Sequence, residues 1–501
     1  MGEFYDKLTA RLKDIHNLEM AAAVLEWDQQ VNMPPQGAEA RGDQLATLSR
    51  MKHELFIADE TQHLVEQAAH EVNGVSYDST EASLLRVVQH DLEQATKLPA
   101  EHVAEISRVT TVAHNIWAAA RANNDFQSFE STLQQILDLT LQSADYLGYE
   151  SNPYDALLDS YDRGMTTERV KSLFDGHKAE LVDLISAISE VEDRVSDEVV
   201  HREFDLEKQR DFGQRMVTAF GFDFERGRQD VAVHPFMINF SRDDVRITTR
   251  FEHNFLNPAL FGTMHEAGHG MYEQGISESL GGTVLAQGTS LSVHESQSRM
   301  WENLVGRSKG FWEWAYPQLQ ATFPDTLRDV DMETLYKASN KVEPSFIRVE
   351  ADEATYNLHI MLRFELENDL INGRVHVADL PKEWNERFEA FLGIIPPTNK
   401  LGVLQDVHWS AGLIGYFPTY ALGNLLSVQY YNAALQQHPN IPDEIASGKF
   451  DTLLTWLNEN IHQHGRKYTT DELTKRATGQ EMDSAPYIAY LRTKFGEIYD
   501  L

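Results

Sequence analysis

The sequence predicts a mainly α-helical protein with one small β-hairpin. Three observations carry this. Apolar residues recur at mixed three- and four-residue spacing through most of the 501 positions. Strict alternation of apolar and polar residues occurs in one stretch only, at 229–252. Internal repeats, low-complexity tracts and Pro-, Gly- or Ser-rich linkers are all missing from the sequence, so a single body spanning 1–501 is expected.

Helical patterns run over 3–29 and 38–70, interrupted by Met33-Pro34-Pro35-Gln36-Gly37, where two prolines and a glycine break the helix. They continue through 81–150, 166–196 and 204–220. At 229–252, Val231, Val233, Phe236 and Ile238 precede the polar turn Ser241-Arg242-Asp243-Asp244. Val245, Ile247 and Thr249 then follow on alternate positions, which is a hairpin pattern. Asn257-Pro258 reads as an N-cap followed by proline at the first helical position, and Gly275 as that helix's end. Helices then run to the C-terminus, apart from an irregular stretch, 393–418, that holds Pro396-Pro397 and His408-Trp409.

Composition removes several classes of function. With 43 Lys+Arg against 78 Asp+Glu the net charge is −35, a field that repels phosphate backbones and anionic lipid, so neither nucleic-acid nor membrane binding is expected. There are 0 cysteines, which excludes disulfides, iron–sulfur clusters, thiolate metal sites and cysteine nucleophiles. Any metal must therefore be held by His, Asp or Glu. No apolar run approaches the roughly 18 residues of a membrane span. The start, Met1-Gly2-Glu3-Phe4-Tyr5-Asp6, has neither the basic nor the apolar region of a secretory signal, and Asp6 sits where myristoylation needs Ser or Thr. A cytoplasmic protein is expected.

The chemistry is concentrated in Thr263-Met264-His265-Glu266-Ala267-Gly268-His269-Gly270. On a helix, residues four apart differ by about 40° and stand one turn above each other. His265 and His269 can then present two imidazoles to one Zn²⁺, with Glu266 directed at a water on it. Leu260, Phe261, Met264, Gly268, Met271 and Tyr272 share one face, which places both histidines at the edge of the buried stripe. Two histidines satisfied by backbone carbonyls would be the plain alternative. A hydrolytic site needs a third protein ligand, and Ser292-Val293-His294-Glu295 offers two candidates. Glu295 is favoured and His294 competes, while Ser292 with Glu295 also matches a helix capping box.

Taken together, these residues give the chain a resemblance. It looks like the thermostable-carboxypeptidase family of H-E-x-x-H metallocarboxypeptidases, along essentially its whole length. Beside the histidine motif stand His234-Pro235-Phe236, Asp244-x-Arg246-x-Thr248, His294-Glu295-Ser296-Gln297, Ile347-Arg348-x-x-Ala351-Asp352 and Gly402-x-x-Gln405-Asp406-x-His408-Trp409. The early Trp27-Asp28-Gln29 with Met33-Pro34 is also family-like. The resemblance implies a large helical body with a deep substrate groove, residues 1–75 forming a helical lid over it, and a homodimer. It implies Glu295 as third ligand, one ion per chain (Zn²⁺, with Co²⁺ or Mn²⁺ compatible with the same donors), and peptides with a free C-terminus as substrates.

On this reading the ion activates a water, Glu266 is the general base, and the product is a C-terminal amino acid. Tyr420 or His408 would stabilise the oxyanion, although Tyr420 also suits a core aromatic and His408 a loop brace. Arg348 would bind the terminal carboxylate through its planar fork. A structural salt bridge to Glu350 or Asp352 is its alternative role, and Arg246, more simply an ion-pair partner of Asp244, is the reserve. His234, on the hairpin, would border the substrate. The net charge does not forbid an anionic substrate end, because screening over about 8 Å leaves contact charges in control. An endo-acting zinc oligopeptidase using the same site is the alternative function.

Overall fold

Helices account for most of residues 2–501, the part of the chain that the computed structural model describes. Among these residues no helix is long and apolar enough to cross a membrane. The fold class is the expected one: mainly α, with a small sheet beside the helix that carries His265 and His269. The chain folds as two units, each assembled from separate stretches of sequence. One comprises the stretch through Thr96, Asp197–Ser339 and Tyr430–Glu481; the other comprises Lys97–Ser196, Asn340–Gln429 and Met482–Leu501.

In the first unit, helix Glu3–Val31 buries Leu8, Leu12 and Ile15 against Leu64, Val65 and Ala68 of helix Asp59–Glu71 and Leu84 and Val88 of helix Thr80–Lys97. Its first turn is closed by a distant side chain, since Glu71 accepts from the backbone N–H groups of Phe4 and Tyr5 at 3.2 and 2.9 Å. The helix expected over 38–70 is two, Ala38–Ile57 and Asp59–Glu71, because Ala58 is extended (ψ 146°). The carbonyls freed by the break are taken up by side chains: the Thr61 hydroxyl donates to Leu55 O at 2.6 Å and Gln62 Nε2 to Ile57 O at 2.8 Å.

The alternating stretch forms β1 (Gly227–Val231), β2 (Met237–Ser241) and β3 (Asp244–Thr249), in the order β1-β3-β2. β2 and β3 are the expected antiparallel hairpin, while β1 is an additional strand parallel to β3, with Gln229 opposite Ile247. The turn Arg242-Asp243 uses no residue at positive φ, and a register shift between Asn239 and Ser241 accompanies it. A bulge of this kind adds local twist, which compensates for a turn lacking the left-handed residues that tight hairpins favour. The expectation for Val231 and Val233 fails by one residue of phase. They are 49% and 74% exposed, and Ala232 is the buried residue between them, its N–H donating to Thr249 O at 3.1 Å.

Helix Asn257–Gly275 packs on this sheet and on helix Leu206–Phe220. Its cap differs from expectation: Leu256 occupies the N-cap, Asn257 is already helical and makes no capping bond, and proline still lies in the first turn. Every residue expected on its core face is buried, and both histidines sit half-buried at the edge.

In the second unit the irregular stretch after Leu392 is fastened to one buried carboxylate. Glu367, in helix Tyr356–Ile371, accepts from Tyr154 Oη at 2.6 Å, Trp409 Nε1 at 2.7 Å and Gly415 N at 2.9 Å. Burial outweighs these donors and pushes its carboxyl from 4.5 up to about 7. Because the folded value exceeds the unfolded one, folding favours the protonated form. That stabilisation is complete below pH 4.5 and is lost as pH rises through about 7. A shift of this size corresponds to about 3 kcal/mol. The unfolding free energy of the wild type relative to Glu367→Gln should therefore fall by that amount from pH 4.5 to 8 in denaturant titrations. A difference that stays flat with pH would remove Glu367 as the titrating group.

Candidate metal centre

For His265 and His269 to share an ion, a third donor would have to come from another helix, and one glycine lets such a helix approach. At Gly268 an added Cβ would lie 2.7 Å from both Gln297 O and Ser298 Cα, so helix Asn257–Gly275 touches helix Leu291–Arg299 backbone to backbone. That second helix starts from Ser290, whose hydroxyl accepts from Val293 N at 3.2 Å. Ser290, and not Ser292, is therefore the cap, and the Glu295 side chain is free of the capping box that its spacing allowed.

Glu295 instead turns to the histidines. Its Oε2 lies 3.7 Å from His265 Nε2 and 3.5 Å from His269 Nε2, and one ligand atom from each of the three residues falls within 4.8 Å of the others. Donors sharing a tetrahedral zinc at about 2.0–2.2 Å stand about 3.3–3.5 Å apart, so the N,N,O set fits a divalent ion. The outer nitrogens are engaged elsewhere. His265 Nδ1 bonds Glu302 Oε2 at 2.9 Å, and His269 Nδ1 lies 2.7 Å from His294 Nδ1. Both Nε2 atoms are thus left toward Glu295. His294 meets the far side of the His269 ring, away from Glu295 Oε2.

Buried charges of both signs meet around the histidines. Burial raises Glu295 and Glu302, but Arg299, with His265, outweighs it: Glu295 lies well below the usual carboxylate range and Glu302 falls to about 2. Arg299 Nε donates to Glu295 Oε1 at 2.7 Å and its Nη1 to Glu302 Oε2 at 3.1 Å. Glu302 sits in a π-helical turn, Met300–Val305, that extends the ligand helix. Burial drives His269 down to about 3, keeping its ring neutral. In His265 the same burial is overcome by Glu295 and Glu302, and its value rises. Glu266, buried and lying between the two histidines in sequence, is pushed up to about 7 chiefly by burial.

The other expected residues lie in their own settings. His234 is exposed in the β1–β2 connection and not on a strand, because β1 stops at Val231 and Pro235 follows without an N–H to pair. Arg246 bonds Asp244 through Nε at 2.9 Å and Nη2 at 3.0 Å and lies 4.2 Å over the buried Trp27 ring, which gives two early motifs a shared structural role.

In the second unit, Arg348 is buried and pairs with neither Glu350 nor Asp352. Its Nε and Nη2 donate to Asp406 Oδ1 at 3.1 and 2.9 Å and its Nη1 to Tyr356 Oη at 2.8 Å. Its backbone N–H donates to Gln405 Oε1 at 2.8 Å, so the Ile-Arg and Gln-Asp motifs clasp each other. Arg363 takes the other oxygen, with Nε 2.7 Å from Asp406 Oδ2. His408 Nε2 and Tyr420 Oη lie 3.3 Å apart, and burial lowers His408 to about 4.

Sequence reasoning assigned no role to Glu302, Arg299, Glu273 or Arg363. Only Glu273 carried a readable signal, because it continues the four-residue spacing of His265 and His269.

The chain has close counterparts among known proteins. Residues 7–495 match the family described as Carboxypeptidase Taq (M32) metallopeptidase. Thermostable carboxypeptidase 1 of Pyrococcus furiosus is 39% identical, over 99% of this chain and 99% of its own. Carboxypeptidase 1 of Bacillus subtilis is 35% identical, over 99% and 98%. The crystal structure of M32 carboxypeptidase from Deinococcus radiodurans R1 superimposes with a TM-score of 0.97 at 40% identity, covering 100% of both chains.

The close helix approach can be tested without touching a ligand. Gly268→Ala places a methyl against immovable backbone and should push Glu295 away from the histidines. Divalent ion bound per chain, measured by elemental analysis after dialysis, should fall well below one. Full retention of the ion would separate the site from this helix contact.

Proposed function

Since the chain belongs to the carboxypeptidase Taq (M32) metallopeptidase family, we propose that it releases amino acids one at a time from peptide C-termini, with His265, His269 and Glu295 holding the ion and Glu266 as base. The observation that carries this reading is the convergence of both Nε2 atoms on Glu295 Oε2 at 3.5–3.7 Å. The ion we assign is Zn²⁺; Co²⁺ and Mn²⁺ suit the same nitrogen and oxygen donors. When bound it supplies Lewis acidity, lowering the pKa of a water and polarising the scissile carbonyl.

The protein's own residues then divide the work. Glu266 takes the proton of the attacking water and returns it to the departing amine. His408 and Tyr420 form one hydrogen-bonded pair, to which we assign the donor for the carbonyl oxygen as charge develops there. Arg348 commits three of the five N–H groups of a guanidinium to Asp406 and Tyr356, which leaves two for the substrate's terminal carboxylate. The pairing with Asp406 holds the fork in one plane before substrate arrives. His234 contributes an exposed contact. A homodimer, which rests on the family resemblance, and a cytoplasmic location, expected from the sequence, complete the reading.

Two measurements test this. Mass spectrometry of a peptide with a free C-terminus should show successive loss of its last residues, while the amidated twin resists. Equal cleavage of the two would make the protein an endo-acting oligopeptidase instead. Glu266→Gln should keep its bound ion and lose about 10²–10⁴-fold in kcat. Undiminished turnover would place the base elsewhere.

A further inference from the structure

His265 and His269 are supported unequally. Behind His265 stands a carboxylate, Glu302, whereas behind His269 stands a second histidine, His294. His294 Nε2 in turn lies 2.9 Å from Glu273 Oε1. Glu273 belongs to the same helix as both histidines, four residues beyond His269, and is 3% exposed. Its two oxygens are fully used: Oε1 also accepts from Gly288 N at 3.1 Å and Oε2 accepts from Asn239 Nδ2 at 2.8 Å.

This chain of contacts permits one arrangement of protons when His294 is neutral. A carboxylate only accepts, so the proton of His294 must be on Nε2. Its Nδ1 is then an acceptor, and His269 Nδ1 must be the donor across the 2.7 Å contact. That tautomer leaves the lone pair of His269 on Nε2, the atom facing Glu295. We propose that His294 and Glu273 are positioning residues that fix the metal-binding tautomer and ring angle of His269, a role that rests on the metal-site reading above. Glu273 acts through His294, without touching the ion's ligands itself.

The surroundings are built to hold this relay still. Gly288 has no side chain because a Cβ there would lie 2.6 Å from His294 Cδ2 and 3.0 Å from Tyr272 Cε1. The Tyr272 ring packs 5.0 Å from that of His294 and its hydroxyl accepts from Thr289 N at 3.0 Å. Asn239 lies in β2 beside the register shift, where a bulge re-aims side chains. The small sheet thereby reaches the metal centre through Asn239, Glu273 and His294.

Zinc affinity by chelator competition, with thermal melting of the metal-free protein as a check on folding, tests the relay. His294→Phe keeps the ring and removes both nitrogens; it should weaken zinc about 10–100-fold, the usual effect of losing a ligand's hydrogen-bond partner. His294→Asn offers an oxygen near the Nδ1 position and should restore most of that loss. Glu273→Leu should weaken binding alone and add nothing on top of His294→Phe. Equal affinity of His294→Phe and wild type, equal losses in the Phe and Asn variants, or additive effects of the Glu273 and His294 changes would each overturn the relay. His265→Ala separates the two levels. If it leaves zinc binding intact, the metal-site reading fails and the relay with it; if it abolishes binding while His294→Phe does not, the relay alone fails.

Discussion

Backbone contact between two helices at Gly268 is the constraint on which the candidate site depends. It brings a carboxylate to the same side as two imidazoles, and it does so in a place where charges are poorly hydrated. Glu295 and Glu302 are both buried there, and each would be driven toward its neutral form by desolvation alone. Arg299 decides the outcome by touching both, at 2.7 and 3.1 Å, at a range where a low effective dielectric makes Coulomb attraction worth several kcal/mol. Arg307, 3.5 Å from Glu302 Oε1, adds a second cation on the far side, so Glu302 is shared between two arginines while Glu295 Oε2 is left facing the two histidines. Glu266 feels both signs: burial is the main influence raising it, His265 and Arg299 lower it, and Glu295 and Glu302 raise it.

The second unit solves a related problem with the opposite sign. Asp406 is sandwiched between Arg348 and Arg363, each donating to a different oxygen, so the buried cluster carries one carboxylate for two guanidiniums. Breaking such a cluster is far more costly than its net contribution to stability, which ties the two motifs together more firmly than either loop's own packing would. A locally positive cluster in a protein of net charge −35 shows why the global figure says little about any one contact.

Much of this architecture could be read from the sequence because periodicity is a local property. The apolar stripe of Leu260, Phe261, Met264, Gly268, Met271 and Tyr272 specified both the helix and the edge position of its histidines, and all six are buried. What failed had both local and non-local causes. The break at Ala58 is local: the Thr61 and Gln62 side chains donate to the freed carbonyls of Leu55 and Ile57. Val231 and Val233 obey alternation yet face outward: Val231 is the last residue of the edge strand β1, and Val233 lies beyond it in the connection to β2. The partner of Arg348 lies 58 residues away, beyond any spacing argument, and the sequence offered only nearer acids.

The adjacent pair His294-Glu295 shows how far local reasoning can go and where it must stop. From spacing, either residue could serve as the third ligand, because both fall at the right distance along the chain. On a helix, neighbours point about 100° apart, so the two cannot approach His269 from one side. They address opposite nitrogens of the same ring: Glu295 faces Nε2 at 3.5 Å and His294 meets Nδ1 at 2.7 Å. A carboxylate suits the first position, where it adds negative charge toward a cation, while a neutral ring suits the second, where one acceptor and one donor are needed in line. Exchanging the two residues would put an acceptor-only group behind His269 and leave Glu273 facing a carboxylate across a distance meant for a hydrogen bond. The order His-Glu, and not merely the presence of both, is what the proposed ion site requires.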